Sequence, residues 1–391
     1  MQSVRKLLSV CLLCCLVLGL AACGGAQTQT TPAPAGSAGP VPTPKASHSD
    51  LPPVDFSIGD EAAAETPAPE ETSALAETPA PAETPAPDAA LPIRVMALNG
   101  PTGFMLADLA VAAQNGTAAL NYQITIETDP SNVSAALISG DCDVALMPTN
   151  AAAVVYNRTG GAVQAVALTA QANLYLLQNT ERESVAAMED LQGKTVYAPA
   201  QNPTFILRYL CEAYGLVPGT DVIIDNTYAQ PAELRTALAA GEVDLAVLPE
   251  PMATIAVSAN DKLERALNLE EVWQTAGAGD NLVMSCVAVR REFADAHGAE
   301  LAQFLADCRA SGAALQADPD QGAENIVAAG IFNSAPVARK ALENCVFRFE
   351  TGAALKEKLS AYLGVLHAIA PAAVGGEMPG DDFYRDVDLG A

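Results

Sequence analysis

The stretch Ala136-Leu137-Ile138-Ser139-Gly140-Asp141-Cys142-Asp143-Val144-Ala145-Leu146-Met147-Pro148 returns 101 residues later as Ala237-Leu238-Ala239-Ala240-Gly241-Glu242-Val243-Asp244-Leu245-Ala246-Val247-Leu248-Pro249. At the same offset Val95 meets Val196, Ala97 meets Ala198, Phe104 meets Phe205, Leu106 meets Leu207 and Leu109 meets Leu210. One gapless register across the whole unit marks an internal duplication.

Each copy reads as strand, loop, helix, strand, helix, short strand. Apolar runs at Ile93 to Leu98 and Thr195 to Ala198 predict first strands. They lead through Asn99-Gly100-Pro101-Thr102-Gly103 and Gln201-Asn202-Pro203-Thr204 into helices. Ile124 to Glu127 and Val222 to Ile224 predict second strands. A helix then ends at Gly140 or Gly241, and the short strands Val144 to Met147 and Leu245 to Leu248 follow, each closed by a proline. Such alternation predicts parallel sheets with helices on both faces. The fold class expected is α/β, with two similar three-layer lobes. In open parallel sheets ligands sit beyond the carboxyl ends of the strands, so two lobes facing through those ends would enclose a cleft.

Upstream of the duplication the composition changes twice. Residues 1–23 place Arg5 and Lys6 before an apolar run from Leu7 to Leu20 and the small residues Ala21 and Ala22, the pattern of a secretory signal. Residues 24–91 are rich in Pro, Ala, Thr and Glu and repeat ETPAP at 65–69, 77–81 and 83–87. Ten carboxylates there face only Lys45, so this segment is expected to be an extended, self-repelling tether without a core. The whole chain carries a formal charge of −26, which argues against any partner bound through phosphate neutralisation, nucleic acid above all.

Leu20-Ala21-Ala22-Cys23 resembles the lipobox of bacterial lipoproteins, which implies acylation of Cys23 and an outer-face membrane anchor; an uncleaved signal anchor is the other reading. From about Ile93 to Tyr384 the chain resembles the extracellular solute-binding proteins of ABC importers, in the group that binds sulfonates, nitrate, taurine and thiamine precursors. The resemblance rests on several motifs taken in order. These are Gly100-Pro101-Thr102-Gly103; Gly140-x-x-Asp143-x-Ala145-x-x-Pro148-Thr149-Asn150; Leu191-x-Gly193-Lys194-x-Val196; Gly241-x-x-Asp244-x-Ala246-x-x-Pro249-Glu250-Pro251; and Val374-Gly375-Gly376-x-x-Pro379-x-x-Asp382-Phe383-Tyr384. It implies a type II periplasmic-binding fold with discontinuous lobes around a hinge, 92–176 with 283–391 and 177–282. It also implies a small-molecule ligand, a membrane permease as partner, no cofactor and a monomer.

The loops supply the candidate ligand contacts. Asn99, Thr102 and Gly103 precede or open the first helix and could meet a ligand oxygen or simply cap the helix. Thr149 and Asn150 follow a strand-closing proline, and Asn202 and Thr204 are their counterparts in the second lobe. Glu250, between Pro249 and Pro251, is expected to project into the cleft, either to accept from an amino or heteroaromatic nitrogen or to cap the following helix. The four loops contain no lysine or arginine, which favours a neutral or nitrogen-bearing ligand over an anion.

Cys142, Cys211, Cys286, Cys308 and Cys345 lack metal-site spacing and are expected as buried thiols, with one or two disulfides permitted in an exported protein; the histidines are too scattered for a metal centre. No GxSxG, HExxH, Walker loop or GxGxxG occurs, so a non-enzymatic role is expected. An enzyme on the same fold and an adhesive or sensory lipoprotein are the alternatives.

Overall fold

The computed structural model describes residues 86–171, 173–279 and 282–389. The expected signal, Cys23 and nearly all of the expected tether lie outside them.

Eleven strands form two sheets among the described residues. The first holds β1 (Pro92–Leu98), β2 (Asn121–Glu127), β3 (Val144–Pro148), β4 (Val163–Gln171), β10 (Val283–Arg290) and β11 (Val346–Glu350), in the order β11-β4-β10-β3-β1-β2. The second holds β5 (Leu174–Asn179), β6 (Thr195–Tyr197), β7 (Ile223–Asp225), β8 (Leu245–Pro249) and β9 (Leu263–Asn268), in the order β7-β6-β8-β5-β9. The duplication is visible in the geometry: β3 and β8 lie 101 residues apart, as do the helices Pro130–Ser139 and Pro231–Ala240. Both helices stop at a glycine in the left-handed region, Gly140 at φ 85° and Gly241 at φ 75°, where a side chain would be strained.

The sheets are mixed rather than parallel. β1, β2 and β3 run parallel, as do β6, β7 and β8, but β10 is antiparallel to β3 and β4, and β5 is antiparallel to β8 and β9. The reason is the crossover. Strand β5 enters the second sheet straight from β4, and β10 returns to the first, so each arrives running against its neighbours. The expected boundary after residue 176 falls inside β5, which pairs in the second sheet from Leu174 onward.

Alternation along the strands builds the layers. In β3, Ala145 and Met147 point into one buried cluster and Val144 and Leu146 into another; in β5, Leu174 and Leu176 divide from Tyr175 and Leu177 in the same way. The cluster holding Met147 and Leu176 is continuous between the two sheets and takes in the helix Gly352–Ile369 through Leu355, Leu359, Tyr362, Leu363 and Leu366, all with 0% exposure. At about 1.5–3 kcal/mol for each large apolar side chain buried, that helix is a principal source of cohesion. It packs against the helix Asn202–Ala213 as well as against β4 and β10, so it serves both sheets. Cys142, Cys211, Cys286 and Cys308 are buried free thiols, and Cys345 is a half-buried one.

The last described residues are strapped to the first sheet. Asp382 accepts from Tyr156 Oη at 2.5 Å and from an Arg291 Nη at 2.6 Å, and its backbone carbonyl accepts from Gln164 Nε2 at 2.7 Å. Tyr156 first and then Arg291 hold the carboxyl below its usual range. A depressed folded value gives stability that is present above the unfolded value of about 4 and is lost as pH falls through the folded one. Protection of the amides across residues 380–385, taken relative to their intrinsic exchange rates at each pH, is therefore expected to fall between pH 6 and pH 3, and Asp382→Asn to abolish most of that difference.

Candidate functional site

The carboxyl ends of β1 and β8 approach each other closely. A Cβ built on Gly100, after β1, would stand 3.4 Å from Pro251 Cδ and 3.6 Å from the Glu250 carbonyl oxygen, after β8. Hydrogen bonds cross the same junction. Tyr362 Oη donates to Asn202 Oδ1 at 2.7 Å, Tyr175 Oη donates to the Asn344 carbonyl at 2.9 Å, and Asn173 Oδ1 accepts from the Val346 amide at 3.1 Å. The Asn173 carbonyl in turn accepts from the Glu250 amide at 2.8 Å. Trp273, fully buried, lies between Tyr209, at 4.6 Å between ring centroids, and Tyr362, at 5.8 Å.

The residues expected to contact ligand divide into three groups. Asn99 is exposed and its amide is tied to the Glu127 carbonyl; Thr102 is half-buried in the first turn of the short helix Pro101–Phe104. Gly103, Thr149 and Thr204 are committed to the fold. A Cβ on Gly103 would sit 2.6 Å from the Leu98 carbonyl oxygen, so this glycine lets the helix lie on β1. Thr149 Oγ1 donates to the Val283 carbonyl at 2.8 Å, and Thr204 Oγ1 donates to the Pro199 carbonyl at 2.8 Å while accepting from Asn226. The third group, Asn150 and Asn202, keeps unspent polar atoms in a buried setting. Asn150 donates to the Ala373 carbonyl at 3.4 Å and its Oδ1 has no partner.

Glu250 departs most from expectation. Its side chain is fully buried: Oε1 accepts from an Arg265 Nη at 2.5 Å and Oε2 from the Thr254 amide at 3.1 Å. The same Arg265 nitrogen donates to Thr254 Oγ1 at 2.6 Å, and the guanidinium lies over the Tyr175 ring at 5.1 Å. Burial raises the Glu250 carboxyl above its usual range, with Arg265 pulling the other way. Of the two roles expected of Glu250, Oε2 takes the capping one on the following helix, and Oε1 meets a cation from β9, outside the loops inspected for lysine and arginine. Arg265 and Tyr362 carry no motif, and their roles are set by partners 15 and 160 residues away.

A cavity of about 360 Å³ lies elsewhere, at the opposite end of the first sheet, beside Arg94, Asp143 and Arg290. Asp143 is the aspartate of the repeated motif, and it accepts from the Arg94 backbone amide at 3.0 Å and Nε at 2.9 Å. Among the described residues no cluster of His, Cys, Asp and Glu is fit to hold a metal ion.

The family model described as NMT1/THI5 like matches residues 109–322, more than half of the chain. The chain belongs to that family. No curated protein matches the sequence. Among solved structures, an ABC transporter protein from Parabacteroides distasonis aligns at 22% identity over 76% of this chain and 99% of its own, with TM-score 0.63. The periplasmic aliphatic sulphonate binding protein SsuA from Escherichia coli aligns at 18% over 73% of this chain and 90% of its own, with TM-score 0.58. The alkanesulfonate-binding protein SsuA from Xanthomonas axonopodis pv. citri, bound to MOPS, aligns at 17% over 74% and 99%, with TM-score 0.55. This NMT1/THI5-like chain thus has the periplasmic-binding-protein fold.

Proposed function

We propose that the chain is the solute-binding component of an ABC importer, a non-enzymatic protein that captures a small organic molecule between two lobes, 92–176 with 283–391 and 177–282, and delivers it to a membrane permease. The observation that carries this reading is the junction itself. The loops after β1 and β8, from the two sheets, come together there, and two buried residues that open helices after β3 and β6, Asn150 and Asn202, keep unpaired amide atoms. Fold-mates named as sulfonate-binding and ABC-transporter proteins support the same reading.

The lipobox-like Leu20-Ala21-Ala22-Cys23 and the acidic segment after it favour export and anchoring through an acylated Cys23, with the binding domain held off the membrane face by the tether. Among the described residues no helix is long and apolar enough to cross a membrane.

Trp273, the chain's one tryptophan, sits where a shift of the two sheets would move Tyr209 or Tyr362 away from it. Incubation with growth medium followed by native mass spectrometry is expected to show a retained small molecule. Adding that molecule back should change Trp273 emission saturably and stabilise the protein by about 2.7 kcal/mol at a hundred times its Kd. No retained molecule and unchanged emission would remove the solute-binding reading.

A further inference from the structure

The two unspent carboxamides are held with opposite polarity. Asn150, 4% exposed, opens the helix Thr149–Thr159 at the end of β3, and Asn202, 7% exposed, opens the helix Asn202–Ala213 after β6. Both lean on the same C-terminal arm: Asn202 on Tyr362 of the helix Gly352–Ile369, Asn150 on Ala373 of the turn Pro371–Val374 that follows it.

The partners dictate which end of each amide is free. Ala373 offers a carbonyl oxygen, which only accepts, so Asn150 turns Nδ2 toward it and leaves Oδ1 buried without a partner. Tyr362 is a fully buried phenol whose proton goes to Asn202 Oδ1, which leaves Asn202 Nδ2 without a hydrogen-bond partner among the described residues. A buried polar group left unmatched is costly, and Asn150 Oδ1 bears that cost, whereas Asn202 Nδ2 is unpaired without being enclosed. Of the other polar groups nearby, Thr149 serves Val283, Thr204 serves Pro199, and Glu250 is held by Arg265, whose Nε is left without a partner.

We propose that the captured solute presents a hydrogen-bond donor to Asn150 Oδ1 and an acceptor to Asn202 Nδ2, and is therefore a neutral molecule with an amide, lactam or ureide edge. A sulfonate or nitrate carries only acceptor oxygens; it would satisfy Asn202 but set oxygen against oxygen at Asn150. This assignment rests on the reading that the junction holds a solute, and it narrows that solute's chemistry.

The test uses the purified protein and two probe sets, hydantoin, 2-pyrrolidinone and nicotinamide against ethanesulfonate and nitrate, read by calorimetric titration and thermal shift. Amide probes are expected to bind and raise Tm, and the anions to do neither. Asn202→Asp keeps an oxygen for Tyr362 while replacing the donor by an acceptor, and should weaken the best amide probe roughly tenfold or more with little change in unliganded Tm. Asn150→Leu, which removes the acceptor at similar size, should do the same. Tighter binding of ethanesulfonate or nitrate than of every amide probe would overturn the assignment and leave the solute-binding reading standing. Amide probes that bind equally well to both variants, or no binding by any amide probe, would also overturn it, while the retained-molecule experiment decides the broader reading separately.

Discussion

Replacing Arg265 with alanine is expected to cost about 3–5 kcal/mol, a fall on the order of 10 °C in Tm. The Glu250 side chain is completely buried, and its only cation among the described residues is Arg265, itself 23% exposed. Removing the guanidinium strands a carboxylate in the apolar layer that holds Leu248 and Ala253, where an ionised group is far more costly than a neutral one. The loss has a pH signature. Burial already raises the folded Glu250 value, and removing the opposing pull of Arg265 raises it further. A group raised in the folded state keeps its full stability below its unfolded value, about 4.3, and loses it as pH rises through the folded value. The Tm deficit of Arg265→Ala should therefore be wider at pH 8 than at pH 5. A double change, Arg265→Leu with Glu250→Leu, should recover most of the loss, because no buried charge remains. Thermal melts of the three proteins at the two pH values check this; a single variant as stable as the parent at pH 8 would show that the pair contributes nothing.

Gly103→Ala is expected to destabilise by about 1–3 kcal/mol through overpacking. The added methyl would fall 2.6 Å from the Leu98 carbonyl oxygen and 3.1 Å from Ile331 Cγ2, and the first of these belongs to backbone that cannot swing aside. Gly312→Ala is the informative comparison, since its nearest obstacle is the movable thioether of Met105. Denaturant melts should place Gly103→Ala well below Gly312→Ala; equal midpoints would mean that the segment after β1 shifts freely.

These two residues also mark where sequence reasoning reached and where it stopped. The 101-residue register placed β1, β3, β6 and β8 and the helices between them, because helix and strand periods are written in adjacent residues. Gly103 was legible as special, but its reason was not: a helix lying against a carbonyl five residues earlier looks in one dimension like a ligand-facing turn. Glu250 was legible as an acid at a strand end, whereas the cation that neutralises it stands across β5 on an edge strand. The antiparallel strands β5 and β10 were equally hidden, since strand direction is a property of the partner and not of the strand's own composition. Asn150 and Asn202 were found as amides in switch-point loops; only Ala373 and Tyr362 disclose which of their atoms are free.

The repeated aspartate tells a story about the duplication. Asp143 is clasped by Arg94 from β1, but the position corresponding to Arg94 in the second copy is Thr195, and Asp244 takes its cation from Arg182, beyond the end of β5. The two halves have kept the anion and recruited its counter-ion from different places. A second copy of the first half would bring Asp143 together with Arg94, whereas a second copy of the other half, taken from β6 onward, would bring Asp244 without Arg182 and would need that cation rebuilt.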